Sequence, residues 1–108
     1  MVRVIKAWTA SYSPALRVTR AERITPGKLD DEFPGWQWVV NDKALGGWVP
    51  AEMVGQDDRM RGDFDTTELT VAIGDDVVPL KGKLGWSLCQ NATGKTGWVP
   101  KDCLATPS

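Results

Sequence analysis

The sequence predicts an all-β protein made of two consecutive small five-stranded barrels. Three observations lead to this prediction: the chain repeats itself, its apolar segments are short and alternate with polar residues, and Gly, Pro, Asn and Asp interrupt them about every ten residues. The 108 residues are 42% hydrophobic and 25% charged, which is the composition of a globular protein. No segment of useful length has the periodicity of a helix.

The repeat is clearest over two stretches that align without gaps at an offset of 50. Residues 35–54, GWQWVVNDKALGGWVPAEMV, align with residues 85–104, GWSLCQNATGKTGWVPKDCL, and seven of the twenty positions are identical. Further upstream the offset is 53, so the first copy has three extra residues in a loop rich in Pro, Gly and Asp. The alignment predicts a barrel over residues 1–54, a linker at 55–58, a second barrel over 59–105 and a tail at 106–108.

Each copy contains a predicted β-hairpin that ends at a proline. Residues 36–40 and 86–90 each run into a six-residue turn that begins with asparagine, after which the chain returns through a Gly-Trp-Val segment. Pro50 and Pro100 end the returning strands, because proline has no N–H to donate to a sheet. Val2 and Val4 alternate with charged residues and predict an opening strand for the first barrel.

Composition argues against several functional classes. Thirteen basic and fourteen acidic residues leave a net charge of −1, whereas proteins that bind the phosphate backbone carry a basic excess. The chain has no histidine, and two cysteines cannot complete a four-ligand zinc site. We therefore expect no enzyme activity, no metal, no cofactor and no nucleic-acid partner. Both cysteines are expected to be free thiols, and Cys89, which aligns with Val39, to be a buried small hydrophobe.

The chain shows no membrane signal. Its longest apolar stretches have four residues or fewer, and its first residues lack the apolar segment of a signal peptide. We expect a cytoplasmic protein without a membrane partner.

The aromatic residues point to a binding surface, because the chain has six tryptophans against one tyrosine and two phenylalanines. Trp38 lies two residues after Trp36, on the same strand face, and either extends an aromatic surface or covers the neighbouring copy, with the second interpretation slightly favoured. Trp8 has no counterpart at the offset of 53, which favours a packing or inter-copy contact over a ligand contact. Trp48 and Trp98 either bind a ligand or shield their barrels.

Several segments, in the same order in both copies, resemble the Src-homology-3 (SH3) domain, and the pair is similar to tandem bacterial SH3-type proteins. In the second copy the resemblance is carried by Met60-Arg61-Gly62-Asp63-Phe64-Asp65, Glu68-Leu69-Thr70-Val71-Ala72-Ile73-Gly74-Asp75, Gly85-Trp86, and Gly97-Trp98-Val99-Pro100-Lys101-Asp102-Cys103-Leu104. In the first copy it is carried by Tyr12, Leu16-Arg17-Val18, Gly35-Trp36, and Gly47-Trp48-Val49-Pro50-Ala51-Glu52-Met53-Val54.

This resemblance implies a shallow aromatic groove that binds Pro-rich segments in the polyproline II conformation. Carried over position by position, the implied peptide-binding residues are Tyr12, Trp36, Trp48, Pro50 and Met53 in the first copy, and Phe64, Trp86, Trp98, Pro100 and Cys103 in the second. Met53 and Cys103 stand where the family usually has a tyrosine. The charge that meets a ligand Arg or Lys would come from Asp63, Asp65 and Glu68 in the second copy and from Asp30, Asp31 and Glu32 in the first.

The leading functional hypothesis is a non-catalytic module that binds a peptide or protein, acting as a monomer with two packed domains in the bacterial cytosol. One alternative is recognition of cell-wall peptides, which some bacterial SH3-like domains bind. The other is a small barrel that stacks single-stranded nucleic acid on its aromatic residues, which predicts a salt-sensitive complex. The charge balance counts against that last alternative.

Overall fold

The structure is a computed structural model that describes residues 1–11 and 14–105. Strand accounts for 47% of the described residues, which contain no α-helix, so the predicted all-β class is confirmed. None of the described segments forms a helix long and apolar enough to cross a membrane. Of the residues predicted to bind peptide, Tyr12 lies outside the described residues.

Short strands and two 3₁₀ turns make up the described chain. The strands are β1 (Val2–Arg3), β2 (Arg17–Val18), β3 (Thr25–Leu29), β4 (Trp36–Val40), β5 (Gly46–Pro50), β6 (Phe64–Asp65), β7 (Asp76–Lys83), β8 (Trp86–Gln90) and β9 (Thr96–Pro100). Ala51–Met53 and Lys101–Cys103 form the 3₁₀ turns. The strands pair in the orders β1-β7-β8-β9, β2-β6 and β3-β4-β5. None of these sheets closes on itself within the described residues, so barrel closure stays a prediction.

The two predicted hairpins are present, and asparagine begins each turn for a physical reason. The side-chain Oδ1 of Asn41 accepts hydrogen bonds from the backbone N–H groups of Lys43 and Leu45, at 3.0 Å each. Asn91 Oδ1 accepts the same pair of bonds, from Thr93 at 3.0 Å and Lys95 at 2.9 Å. Asparagine side chains favour turns because they satisfy backbone donors in this way.

The chain divides into two compact units, and the division differs from the expected boundaries. Met1–Ser13 and Thr67–Ser108 form one unit, here called the discontinuous unit, and Pro14–Thr66 forms the other, the continuous unit. The expected linker at 55–58 lies inside the continuous unit. The opening strand of each repeat therefore belongs to the unit that contains most of the other repeat.

Backbone pairing shows this exchange of opening strands directly. In the discontinuous unit, Val2 pairs with Val77 and Val4 with Leu104, so the start of the chain completes the second repeat. In the continuous unit, residues 59–65 complete the first repeat, where Met60 pairs with Val54 and Phe64 with Val18. The opening strand expected in the first barrel thus lies in the unit of the second repeat.

The exchanged segments are equivalent, with an offset of 56. The backbone N–H of Ala21 donates to the carbonyl of Met60 at 2.8 Å, and that of Gly74 donates to Val4 at 2.8 Å. Phe64 is accordingly the counterpart of Trp8, which the offset of 53 leaves without one. Only Asp65–Glu68 separate Phe64 from the buried Leu69, and short hinges of this kind favour strand exchange over a tight reversal of the chain.

Each unit has its own apolar core, and each core takes one buried residue from the exchanged segment. Val4 contributes to the core of the discontinuous unit, together with Leu69, Val71, Val77, Cys89, Val99 and Cys103. Met60 contributes to the core of the continuous unit, together with Leu16, Val18, Ile24, Val39 and Val49. Val4 is 0% exposed and Met60 2%, so the exchanged strands are integral to both cores.

Candidate functional site

The β4–β5 hairpin carries apolar residues on both of its faces. Its core face holds Val39 and Val49, which are fully buried. On the other face Trp36 lies opposite Pro50, and Trp38 lies opposite Trp48. Because strand side chains alternate between faces, the register alone collects these four residues on one surface.

The β8–β9 hairpin repeats this arrangement in the discontinuous unit. Trp86 lies opposite Pro100 and Leu88 opposite Trp98, while Cys89 on the other face belongs to the core. The structure therefore brings together, within each unit, the tryptophans and the proline that the sequence predicts as groove residues.

Burial separates these residues into two groups. Trp36 is 4% exposed and Trp98 5%, and both prolines are buried, so these four offer a ligand almost no area. Trp48 and Trp86 are half-buried. Phe64 packs edge-on against Trp36, with ring centroids 5.8 Å apart.

The equivalent contact in the discontinuous unit joins Trp8 to Trp86, with ring centroids 5.3 Å apart and an angle of 84° between the rings. The packing role expected for Trp8 is therefore present. Its indole Nε1 also donates to Glu68 Oε1 at 2.9 Å, and the same oxygen accepts the backbone N–H of Ser11 at 3.1 Å. Glu68 thus anchors the exchanged segment.

A further aromatic pair of half-buried residues is Trp38 with Trp48. Both indoles are half-buried, and their centroids are 5.2 Å apart at 71°, an edge-to-face contact. The Trp38 ring lies directly over Gly46 of β5, where a Cβ would stand 2.2 Å from its Cζ2, and beside Gly27 of β3, where a Cβ would stand 3.2 Å from its Cδ1. Because Gly46 and Gly27 have no side chain, the Trp38 ring can pack against the sheet at these positions.

Trp48 also offers a polar group. Trp48 is half-buried, and among the described residues its Nε1–H has no hydrogen-bond partner. The sequence contained the signals for this pair, since Gly46-Gly47 and the hairpin register place Trp38 against Trp48. It gave no indication that Trp36 would be covered.

Met53 and Cys103, each three positions after a groove proline, belong to or pack against the cores. Met53 is half-buried and packs against the core of the continuous unit, while Cys103 is 2% exposed and belongs to the other core. Burial raises the pKa of the Cys103 thiol, an effect that Lys6 reduces and Asp102 reinforces. Both cysteines are buried free thiols, so Cys89 is the small core residue that the alignment predicts.

The acidic residues predicted for the second copy do not form one group. Asp63 Oδ1 accepts the backbone N–H of Arg20 at 2.7 Å, and Asp65 forms an exposed ion pair with Arg17 at 3.1 Å. Both lie in the continuous unit, whereas Glu68 lies in the other and holds Trp8.

The acidic residues predicted for the first copy lie together on the loop between β3 and β4. Asp31 and Glu32 are exposed, and Asp30 Oδ1 accepts the backbone N–H of Glu32 at 2.9 Å. This loop leads directly into the strand that carries Trp36 and Trp38, so its carboxylates precede the aromatic face by a few residues.

The described residues hold no group of three or more His, Cys, Asp or Glu side chains suited to a metal ion. Comparison of the chain with protein-family models, with curated proteins and with solved structures finds no match.

Proposed function

We propose that this chain is a non-catalytic peptide-binding protein of two SH3-like barrels, and that its binding surface is the Trp38–Trp48 pair of the continuous unit. The observation that carries the proposal is a half-exposed aromatic pair whose Trp48 Nε1–H has no partner among the described residues. The ligand class is an extended peptide with apolar or proline residues.

An extended peptide suits this surface for two reasons. Flat aromatic rings bury large apolar area with little loss of side-chain entropy, which is why tryptophan recurs at binding surfaces. A polyproline II segment also leaves its backbone carbonyls unpaired, so one of them can accept the Trp48 indole N–H. The resemblance to SH3 domains supports the same ligand class, with the contact moved from the buried Trp36 to its neighbours.

The two units are not equivalent as binding surfaces. At the position of Trp38 the discontinuous unit has Leu88, and at the position of Gly46 it has Thr96, so no indole can lie on β9 as Trp38 lies on β5. Trp98, the counterpart of Trp48, is 5% exposed. The proposal therefore assigns the aromatic contact to the continuous unit alone.

Peptide arrays that include Pro-rich and random sequences, followed by NMR titration of the best binder, test this function. Trp38→Leu installs the residue of the other unit, and Trp48→Phe keeps a ring while removing the N–H. We expect each variant to weaken binding about five- to tenfold, from the loss of an aromatic contact or of one hydrogen bond.

The matched control is Leu88→Ala, at the position of Trp38 in the other unit, which should leave the affinity unchanged. The proposal is wrong if no peptide shifts the Trp38 and Trp48 indole resonances. It is also wrong if single-stranded oligonucleotides, and not peptides, bind to this pair.

A further inference from the structure

Arginine is concentrated in the continuous unit. This unit contains Arg17, Arg20, Arg23, Arg59 and Arg61, whereas the discontinuous unit contains Arg3 and five lysines. The difference is chemical, because guanidinium groups bind phosphate and carboxylate with two parallel hydrogen bonds and ammonium groups do not.

Three of these arginines line one open depression of ≈ 340 Å³. Its lining residues are Arg20, Ala21, Gly55, Gln56, Asp57, Arg59, Met60 and Arg61. Among the described residues that line it, Asp57 supplies the one carboxylate, and its Oδ1 accepts the backbone N–H of Arg59 at 3.3 Å. The charged groups of the lining therefore sum to about +2 at neutral pH.

The backbone directs these guanidinium groups to one place. Arg59 and Arg61 flank the buried Met60, so both side chains leave the strand on its outer face. The Arg59 guanidinium is fixed by one hydrogen bond, from Nη1 to the carbonyl of Ala21 at 2.9 Å, which leaves its other donors available. Among the described residues the side chains of Arg20 and Arg61 form no hydrogen bond or ion pair. The nearby Asp63 binds the backbone of Arg20, not its guanidinium.

The fold does not require arginine at these positions, as the equivalent places in the other unit show. Ile73 is equivalent to Arg20 by the offset of 53, and Ile5 is equivalent to Arg61 by the offset of 56. Both isoleucines are exposed, Ile73 at 71% and Ile5 at 53%. The same turn and strand therefore form without either cation.

A second contrast concerns the residues paired across the strands. Arg3 pairs with Asp76 in the discontinuous unit, whereas the equivalent pair in the continuous unit is Arg59 with Arg23. Like charges directly opposite each other destabilise a sheet. The continuous unit thus retains a repulsive pair next to the depression, which an anion would relieve.

We infer that the depression lined by Arg20, Arg59 and Arg61 binds a phosphate monoester. Its charge complements a phosphate group, which carries about −1.5 to −2 at neutral pH. Its volume lies at the small end of ligand sites, which are roughly 300 to 1,000 Å³. A long polyanion is disfavoured, because the continuous unit as a whole has ten acidic against seven basic residues.

Titration with O-phosphoserine and with inorganic phosphate, at constant ionic strength and followed by ¹⁵N NMR, tests this site. We expect saturable shifts of the backbone and guanidinium resonances of Arg20, Arg59 and Arg61. A phosphoserine tetrapeptide distinguishes the sources of the phosphate. If the tetrapeptide binds at least tenfold more tightly than inorganic phosphate, the ligand is a phosphopeptide. If the two bind equally, the ligand is a small phosphate compound.

Two variants connect these shifts to the site. Arg20→Ile/Arg61→Ile carries the residues of the other unit and should weaken phosphoserine binding at least tenfold. Arg20→Lys/Arg61→Lys keeps the charge but loses the paired donors, and should give an intermediate loss. Arg3→Ala, in the discontinuous unit, is the control and should change the affinity less than twofold.

The inference is overturned if the Ile double variant binds phosphoserine as the unchanged protein does. It is also overturned if the shifts occur away from these residues, or if a ten-residue oligothymidine binds here and phosphoserine does not.

Discussion

The exchanged strands predict that a substitution in one repeat destabilises the unit of the other. Val4→Ala removes two methyl groups from a side chain that is 0% exposed in the core of the discontinuous unit. Each buried carbon contributes about 0.8 kcal/mol, and the cavity adds to this, so we expect a loss of about 2 kcal/mol. Amide hydrogen exchange at Cys89 and Val99 should then accelerate about 30-fold, since about 1.4 kcal/mol corresponds to a factor of ten.

The reciprocal variant is Met60→Ala, at the equivalent position. It lies in the second repeat of the sequence, yet its side chain belongs to the same core as Val39 and Val49 of the first repeat. We expect a loss of about 3 kcal/mol, within the range for truncating a buried methionine. Amides of the continuous unit should lose protection and show the larger chemical-shift changes.

Chemical shifts locate the perturbation even where both units unfold together. If Val4→Ala shifts the resonances around Val39 and leaves those around Cys89 unchanged, the strand assignment is wrong. Lys6→Ala is the control in the same segment, because its side chain is exposed, and it should leave protection unchanged in both units.

Three further predictions concern single contacts. Gly46→Ala places a Cβ 2.2 Å from the Trp38 ring, so the ring must move. We expect the free energy of unfolding in urea to fall by about 1–3 kcal/mol and the near-ultraviolet circular dichroism spectrum to change. An unchanged spectrum would contradict the packing of Trp38 on Gly46. Burial raises the pKa of the Cys89 thiol above its ordinary 9.0, so the unfolded chain loses this proton first and the free energy of unfolding falls as pH rises above 9.0. Cys89→Val should reduce that fall between about pH 8 and 10 and leave the part that comes from Cys103, whose pKa burial also raises. An equal slope in the variant would argue against a shifted Cys89 thiol. Glu68→Ala removes the acceptor of the Trp8 indole N–H. It should lower the free energy of unfolding by about 1–2 kcal/mol and speed the exchange of that indole proton. Asp102→Ala, at an exposed position, is the control and should have neither effect.

The local structure of the hairpins could be predicted from the sequence. Predicted strands 36–40 and 86–90 agree with β4 and β8, because the asparagine turns and the terminal prolines are signals within a few residues of each other. Pro50 and Pro100 end β5 and β9 and open the 3₁₀ turns. The class and the repeat followed from the same local signals.

Which repeat each opening strand completes could not be predicted in this way. Val4 and Met60 occupy equivalent positions, so periodicity fits either segment to either repeat, and only long-range pairing decides between them. The accessibility of the groove tryptophans was equally out of reach. Strand alternation places Trp36 on the outer face, but its burial depends on Phe64, which lies 28 positions later in the chain.

The charged residues illustrate a third limit. Counting charges over the whole chain gives −1, a value that conceals three arginines around one small depression. Arg20 is separated from Arg59 by 39 positions, and backbone pairing between residues 21–24 and 58–60 brings their segments together. The net charge argues against binding of long polyanions but says nothing about a single phosphate.

The reciprocal donation of opening strands makes each unit depend on residues from both repeats. A protease cut within 55–58 would separate the chain into halves that each hold the strand needed to complete the other's core, so the nicked protein should stay associated as a complemented pair. Neither half synthesised alone would contain all the residues of the core it builds in this chain. Residues 59–108 would lack Val4, and residues 1–54 would lack Met60.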